Sequence, residues 1–320
     1  MIRRFSIKNG ESMSETMEIK SANPFELYHI LNDFSECAET LIEVELILPK
    51  GEPPFPCVIA LHGSNGWMGH HQDHIEGWVN AGLAVCKVYS FSSRAIDSTV
   101  NDQLTVTHAM MLVDAFRARS ALAQDPRIGK IGITGWSLGG TVALYSAWSP
   151  IIEVLGGQFD THVPFYPAAH IQPEIKQWSD SPMLILHGEV DDWTPLHLVE
   201  SLMPELPNAK LHVYPDAHHS FDGVKELTWI SRAVRLKKRT VWIDKNGCMS
   251  GELFWGIRWP LNKRWQRKWV IRFLRNRGAH VEGNPVARAD SLERAKQFLI
   301  DKLGEEWKST IPLKGESVND

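Results

Sequence analysis

The sequence predicts an α/β fold in which a mostly parallel sheet carries helices on both faces. Short apolar runs alternate with helix-length amphipathic stretches, which is typical of parallel strands joined by crossover helices. With 320 residues, of which 43% are hydrophobic, the chain can bury a full core. The segment Gly135-Trp136-Ser137-Leu138-Gly139-Gly140 joins one predicted strand to one predicted helix and adds a third indication.

Six apolar runs are predicted as strands, and five longer stretches are predicted as helices. The strands are Leu41–Leu48, Cys57–Leu61, Ala84–Tyr89, Ile131–Gly135, Met183–Leu186 and Leu211–Tyr214. The helices lie near 71–82, 102–124, 138–148, 196–205 and 290–303.

The predicted organisation is one α/β domain with an insertion. The domain covers residues 21–221 and 285–305, and the insertion covers 222–284. Residues 1–20 are expected to be a polar N-terminal extension without the apolar centre of a signal peptide, and 306–320 a polar C-terminal tail. No stretch approaches the roughly 20 apolar residues of a membrane helix, so we expect no membrane span.

The turn around Ser137 has the pattern G-x-S-x-G. A serine on a sharp strand-to-helix turn projects its hydroxyl clear of the sheet, and small residues two positions away let strand and helix pass closely. The sequence therefore predicts a nucleophile elbow. A serine hydroxyl attacks an acyl carbon only when a neighbouring imidazole takes its proton, so a histidine is also required.

Two later loops supply a carboxylate and a histidine. One predicted strand leads to Asp191 and Asp192, and the next leads to His218 and His219. Because the carboxyl ends of parallel strands meet at one edge of a sheet, these side chains can reach Ser137. The chain order of Ser, Asp and His is that of α/β-hydrolases and predicts their fold and triad.

Acyl transfer also requires backbone N–H donors for the oxygen that becomes negative in the transition state, each worth about 3 kcal/mol. Leu138, which follows the nucleophile, is predicted to supply one donor. The second is expected from the loop after an early strand. Ser64 is our choice there, and Asn65 is the neighbouring alternative.

Several short segments together resemble the dienelactone hydrolase family, over roughly residues 20–222. They are Leu61-His62-Gly63, Ser90-Phe91-Ser92-Ser93-Arg94, Asp102-Gln103, Gly135-Trp136-Ser137-Leu138-Gly139-Gly140, Gly188-Glu189-Val190-Asp191-Asp192-Trp193 and Ala217-His218-His219-Ser220-Phe221. The resemblance implies a hydrolase of carboxylic esters or lactones. It also implies Asp191 as the acid, four residues before the proline, and His219 as the base, before the Ser-Phe pair.

One residue departs from that family. Dienelactone hydrolases in the strict sense carry a cysteine at the elbow, where this chain has Ser137. A thiolate is intrinsically nucleophilic, whereas a serine depends on its base. The resemblance therefore does not extend to dienelactone as the substrate.

Three further side chains are candidates for contact with a substrate. Trp136 and Trp193 flank the nucleophile and the acid, and either wall the site or pack structurally. Arg94 either clamps a substrate carboxylate or braces its loop in an ion pair. His62 and His187, each placed before a glycine at a strand end, are expected to hydrogen-bond locally rather than act as bases.

No metal site and no cofactor are predicted. His70, His71, Asp73 and His74 have a helical spacing that can hold a metal. A polar helix start beside an active-site loop explains the same residues, and we favour that interpretation.

Cysteine usage favours a reducing, cytoplasmic compartment. The cysteines lack any C-x-x-C spacing, and two of them lie in apolar strands, so we expect buried free thiols. They are Cys37, Cys57, Cys86 and Cys248.

The insertion 222–284 has a composition of its own, with fifteen Lys or Arg against five Asp or Glu and six of the thirteen tryptophans. Such a mixture can bind nucleic acid, an anionic membrane or an acidic ligand. No nucleic-acid motif accompanies it, so we expect its aromatics to pack on the domain and its cations to stay solvated. Its position after His219 predicts a lid or wall of the acyl pocket.

Two classes of function follow from these residues. The first is a serine esterase or lactonase acting on a small-molecule substrate through an acyl-enzyme, with a peptidase or thioesterase as runner-up on the same site. The second is a non-catalytic binding protein that uses the basic insertion. The presence of every triad member argues against the second class.

Overall fold

The computed structural model describes residues 3–8, 12–235, 241–252, 256–274 and 276–304. The predicted tail 306–320 lies outside these residues, as do parts of the predicted extension and insertion. The strands are β1 (Arg3–Lys8), β2 (Ser12–Ala22), β3 (Glu39–Leu48), β4 (Phe55–Leu61), β5 (Ala84–Val88), β6 (Ile128–Trp136), β7 (His162–Phe165), β8 (Ile171–Pro173), β9 (Met183–Gly188), β10 (Ala209–Tyr214), β11 (Thr228–Arg235), β12 (Val241–Ile243), β13 (Met249–Glu252), β14 (Arg258–Pro260) and β15 (Asn276–Val281).

The helices alternate with the strands of the first two thirds of the chain. They are α1 (Leu27–Asn32), α2 (Gly69–Asn80), α3 (His108–Leu122), α4 (Leu138–Tyr145), α5 (Ser149–Leu155), α6 (Leu196–Glu200), α7 (Arg264–Leu274) and α8 (Pro285–Leu303). No helix among the described residues combines the length and the apolar character needed to cross a membrane.

Nine strands form one sheet in the order β1-β2-β3-β5-β4-β6-β7-β9-β10. The pairs from β5 to β10 are parallel, whereas β1, β2 and β3 pair antiparallel at one edge. This arrangement confirms the predicted fold class. Every residue of β4 and β9 is buried, which explains why these strands appear in the sequence as continuous apolar runs.

Two hydrophobic clusters cover the two faces of the sheet. Cys57 and Ile59 of β4 pack in one cluster with residues of α3 and α4. Val58 and Ala60, which alternate with them, pack in the other with residues of α2 and α8. Because successive side chains of a strand point to opposite faces, helices lie on both sides of the sheet, as predicted.

Each of the six predicted strands and five predicted helices has a counterpart in the structure. Strand β2, in contrast, was not predicted. It lies within the segment that we expected to be a polar extension, and it pairs with β3 over ten residues. Met17 and Ile19 are buried while polar residues alternate with them, which gives a weaker apolar signal than the continuous runs of the central strands. The extension is therefore in part a strand of the main sheet.

The described part of the insertion folds onto the α/β body. β11 pairs with β15, and β12, β13 and β14 extend β8 into a four-stranded sheet. β12 pairs in parallel with β8, which belongs to the body. Our expectation that its aromatics pack on the domain is wrong for Trp229, Trp265 and Trp269, which are 49%, 53% and 52% exposed.

All four cysteines are free thiols, as expected. Cys57 and Cys86 are buried, whereas Cys37 is half-buried and Cys248 is exposed. The prediction of burial holds only for the two cysteines within strands of the central sheet.

Candidate active site

Ser137 occupies a strained turn between β6 and α4. Its φ of 55° and ψ of −108° lie where residues other than glycine are rarely found. A Cβ added at Gly135 would overlap the backbone of Gly139, and one at Gly139 would overlap the carbonyl oxygen of Leu61. Both positions therefore require glycine, because α4 packs closely against the end of β6 and against the end of the neighbouring strand β4.

The three predicted triad side chains are hydrogen-bonded in series. His219 Nε2 lies 2.9 Å from Ser137 Oγ, and His219 Nδ1 lies 2.7 Å from Asp191 Oδ2. Because an ionised carboxylate only accepts hydrogen bonds, Nδ1 carries the proton toward Asp191 and Nε2 accepts from the serine hydroxyl. His219 is 1% exposed, so this pairing is shielded from water.

Asp191 is buried and fully engaged as an acceptor. Its Oδ1 accepts from the backbone N–H groups of Trp193 and Thr194, both at 2.8 Å. Its Oδ2 also accepts from the Thr194 hydroxyl at 2.8 Å. Burial alone would raise the pKa of Asp191, but the charge and hydrogen bond of His219 outweigh it, and the pKa is lowered. The carboxyl group is thus held ionised beside the imidazole.

The residues that the sequence left as alternatives lie elsewhere. Asp192 contacts His280 Nδ1 at 3.1 Å and Arg235 at 2.9 Å instead of His219. His218 Nε2 lies 3.9 Å from Glu282 Oε2. The geometry therefore favours the two assignments that the family resemblance implied.

Leu138 and Ser64, the predicted N–H donors, both line a cavity together with Ser137. Leu138 opens α4, and the first N–H groups of a helix have no acceptor four residues back. Ser64 follows Gly63, where an added Cβ would lie 3.5 Å from Ser137 Cβ. The carbonyl of Ser64 accepts from Thr99 N–H at 2.9 Å, which fixes this loop.

Two cavities meet at the nucleophile. The first has a volume of about 120 Å³ and the second about 230 Å³, and Ser64, Ser137 and Trp193 line both. Each holds several times the volume that one water molecule needs. Ser137 thus lies where the two cavities adjoin.

The two tryptophans proposed as walls are both at the site. Trp193 lines both cavities and donates its indole N–H to the Val234 carbonyl at 3.1 Å. Trp136 is fully buried and lines the second cavity only. Its indole N–H donates to Asp222 Oδ2 at 2.8 Å.

Arg94 does not take the role of a carboxylate clamp. Its guanidinium donates to both carboxylate oxygens of Asp114, at 2.7 and 2.9 Å, and to Asn23 at 2.8 Å. It lines neither of the two cavities. The clamp interpretation is wrong, because these donors are already committed to bracing the loop.

The two histidines at strand ends, His62 and His187, make local hydrogen bonds. His62 Nδ1 lies 2.9 Å from the Gly63 carbonyl, and His187 Nδ1 lies 3.0 Å from the Gly188 carbonyl, as expected. Burial lowers the pKa of His62 to about 4, so it stays neutral near pH 7. No cluster of metal-ligand side chains is found among the residues that the structure describes.

Sequence reasoning missed Asp222, which holds two residues that line the second cavity, Trp136 and Tyr166. It is fully buried and accepts from Trp136 and from the Tyr166 hydroxyl, both at 2.8 Å. His74 Nε2 lies 3.2 Å and His70 Nε2 3.8 Å from its carboxylate. Burial opposes ionisation of Asp222, but the nearby histidines outweigh it and lower its pKa. His70 and His74 of α2 therefore face the Asp222 carboxylate.

Comparison with known proteins identifies the family and supports the fold. Residues 42–240 match the dienelactone hydrolase family. A search of the curated proteins found no match. Among solved structures, acetyl xylan esterase from Paenibacillus sp. R4 is 15% identical with a TM-score of 0.50, and the alignment covers 68% of this chain and 83% of that one.

Two other solved structures give the same level of similarity. A dienelactone hydrolase-like promiscuous phosphotriesterase from metagenomic libraries is 17% identical with a TM-score of 0.50, covering 67% of this chain and 86% of that one. Acetyl xylan esterase 1 from Thermoanaerobacterium sp. is 14% identical with a TM-score of 0.50, covering 68% and 82%. At these identities the likenesses show the fold alone, and they confirm the predicted α/β-hydrolase fold.

Proposed function

Because the chain belongs to the dienelactone hydrolase family and is a carboxylic-ester hydrolase, we propose that it cleaves an ester or lactone through an acyl-enzyme on Ser137. In this proposal His219 is the general base and then the general acid, and Asp191 orients it. The observation that carries the proposal is the series of hydrogen bonds from Ser137 through His219 to Asp191.

Acylation begins with attack of Ser137 Oγ on the acyl carbon. As the new C–O bond forms, His219 Nε2 takes the hydroxyl proton, and the carbonyl oxygen becomes negative. The N–H groups of Leu138 and Ser64 stabilise that oxygen. Asp191 stabilises the imidazolium, and it keeps the proton on Nδ1 so that Nε2 is free to accept. The C–O bond to the alcohol then breaks, and the alcohol oxygen takes the proton from Nε2.

Deacylation repeats these steps with water. His219 takes a proton from the water as its oxygen attacks the acyl carbon of the ester on Ser137. The oxyanion forms again in the same place, and the C–O bond to Ser137 breaks. Ser137 Oγ recovers its proton from His219, and the carboxylic acid leaves. No other reactant is required.

We further propose that the first cavity is the acyl chamber, which takes the acyl part of the ester, that the second cavity takes the alcohol part, and that the insertion forms one wall of the acyl chamber. Residues of β11 to β13, of the loop after β14 and of α7 line the first cavity. They are Val234, Arg235, Val241, Met249, Leu261, Arg267 and Val270. Most of these side chains are apolar, so acyl length and shape are expected to be selected by this wall.

The test is hydrolysis of chromogenic esters from acetyl to octanoyl by the wild type and by Ser137→Ala. The proposal predicts hydrolysis by the wild type and its loss in Ser137→Ala, together with labelling of Ser137 by a fluorophosphonate. Thioesters and amides in the same panel distinguish the runner-up activities. Wild-type protein that hydrolyses no acyl substrate and resists labelling would contradict the proposal and favour a binding role.

A further inference from the structure

Helix α7 has two faces with different surroundings. Arg267 and Val270 line the first cavity, so one face of α7 belongs to the acyl chamber. Arg267 also pairs with the buried Glu26, which fixes α7 to the α/β body. The opposite face carries Trp265 and Trp269, which are about half exposed. A single helix therefore separates the proposed acyl chamber from an exposed aromatic surface.

This outer face combines tryptophans with cations. Arg264 and Lys268 are exposed on the same side of α7, and Lys263 is exposed just before it. Residues one turn apart share a face of a helix, so the pairs 264/268 and 265/269 form two adjacent stripes. We call Lys263, Arg264, Trp265, Lys268 and Trp269 the α7 patch.

The stretch of sequence that contains the α7 patch is strongly basic. Between Glu252 and Glu282 the sequence has eight Lys or Arg and no Asp or Glu. Arg267 is neutralised by the Glu26 carboxylate on the inner side of α7. The patch thus presents positive charge although the whole chain has a net charge of −4.

Exposed tryptophan beside lysine and arginine matches the chemistry of an anionic lipid surface. Tryptophan rings prefer the boundary between headgroups and acyl chains, and each cation near an anionic bilayer adds attraction. Protein interfaces are also enriched in tryptophan and arginine, but they are depleted of lysine, which supplies two of the three cations of the patch. Single-stranded nucleic acid also binds such mixtures, but it offers no carboxylic ester to the neighbouring chamber.

We propose that the α7 patch docks the enzyme on an anionic lipid surface, from which an ester substrate enters the adjoining acyl chamber. The choice of lipid over nucleic acid rests on the proposed ester hydrolysis. Docking itself does not need catalysis, so the two proposals can fail separately.

The experiment is co-sedimentation of the full chain with vesicles of phosphatidylglycerol mixed with phosphatidylcholine, and with vesicles of phosphatidylcholine alone. Ser137→Ala is measured beside the wild type so that lipid turnover plays no part. We expect binding to the anionic vesicles at about 0.1 M salt and its loss at about 1 M, where the Debye length falls to roughly 3 Å. Tryptophan fluorescence should shift to shorter wavelength on binding.

Matched variants locate the docking surface. Lys268→Gln should weaken binding roughly fivefold, and Trp265→Ala with Trp269→Ala should abolish the fluorescence shift. Trp229→Ala removes an equally exposed tryptophan outside α7, and Lys210→Gln removes an exposed cation on β10, so neither should change binding. Circular dichroism and hydrolysis of a soluble short-chain ester check that the α7 variants remain folded.

Each outcome decides the proposal. Equal binding to neutral and anionic vesicles, or wild-type binding by the α7 variants, would overturn it. Binding to a single-stranded oligonucleotide without binding to vesicles would overturn it as well. If anionic vesicles are bound and no ester is cleaved, the docking surface stands and the proposed hydrolysis fails.

Discussion

At the scale of single residues, Thr194 contacts two members of the proposed triad, Asp191 and His219. Its hydroxyl donates to Asp191 Oδ2 at 2.8 Å, and its Oγ1 lies 3.2 Å from His219 Nδ1. Its backbone N–H donates to the other oxygen of Asp191. One residue thus fixes both oxygens of the carboxylate that orients the base.

Thr194→Val should lower kcat while leaving KM nearly unchanged. A hydrogen bond to a charged group contributes about 1.5–3 kcal/mol, so we expect a loss of roughly 10- to 100-fold. Thr194→Ser keeps the hydroxyl and serves as the control, with activity close to wild type. Steady-state kinetics on a short-chain ester measures both, and equal losses in the two variants would contradict the role assigned to the hydroxyl.

The neighbouring aspartates offer a paired test of the acid. Asp191→Asn should lower kcat by roughly 10⁴-fold, because an amide no longer holds the imidazole proton on Nδ1. Asp192→Asn should cost far less, since Asp192 contacts Arg235 and His280 rather than His219. The same assay measures both variants, and a larger loss in Asp192→Asn would reverse the assignment.

At the scale of elements, Asp222 ties the end of β6 to α2 and to the segment after β7. It does so through Trp136, His74 and Tyr166, all of which contact its buried carboxylate. The elbow at Ser137 follows Trp136 directly, so this network fixes the strand from which the nucleophile projects. Asp222 acts here as a positioning residue, because it does not contact Ser137.

Asp222→Asn should lower the free energy of unfolding by about 3–5 kcal/mol at pH 7, because it breaks a buried charged network. The pKa of Asp222 is lowered by folding, so its ionised form stabilises the fold above the ordinary value of 3.8. The wild type therefore loses this stabilisation as pH falls below 3.8. Asp222→Asn has no such carboxylate, so its free energy of unfolding should not show this fall. Urea denaturation at several pH values measures it.

The exposed Asp216 provides the control for that experiment. Asp216→Asn should leave both the stability and its pH dependence nearly unchanged. If the two variants were equally stable, the network around Asp222 would contribute nothing beyond surface charge.

The insertion gives a second prediction at the scale of elements. Leu261→Trp fills part of the first cavity, so the preferred acyl chain should become shorter while acetyl esters are still hydrolysed. Val154→Trp adds the same ring at an exposed position of α5 and should leave the chain-length profile unchanged. Rates across the ester series measure it, and identical profiles would show that this wall does not select acyl length.

At the scale of the whole molecule, the sequence predicted the parts that carry strong local patterns. The parallel strands are buried on both faces and therefore form continuous apolar runs, and the elbow has a fixed glycine spacing. β2 escaped prediction because its buried apolar residues alternate with polar ones, and β7 because it has only four residues. Contacts between distant residues, such as Trp136 with Asp222, leave no local pattern at all.

In the candidate site, too, the features with a local sequence pattern were predicted and those that depend on distant contacts were not. The three loops of the proposed triad were predicted because each follows a strand at the same edge of the sheet, whereas the choice of Asp191 over Asp192 and of His219 over His218 came from the family resemblance. The exposed tryptophans of α7 and the apolar wall of the first cavity depend on how the insertion packs, which composition alone does not determine. For Arg94 the sequence left a substrate clamp and a loop-bracing ion pair open, because the partner Asp114 lies twenty residues away in the chain.

The central claim is that Ser137 carries the acyl group during turnover. Mass spectrometry after rapid acid quenching with a slowly hydrolysed ester tests it most directly. The account predicts a wild-type protein heavier by one acyl group, with the adduct on the peptide that contains Ser137, and no adduct in Ser137→Ala. An adduct on another residue, or undiminished turnover by Ser137→Ala, would contradict the account.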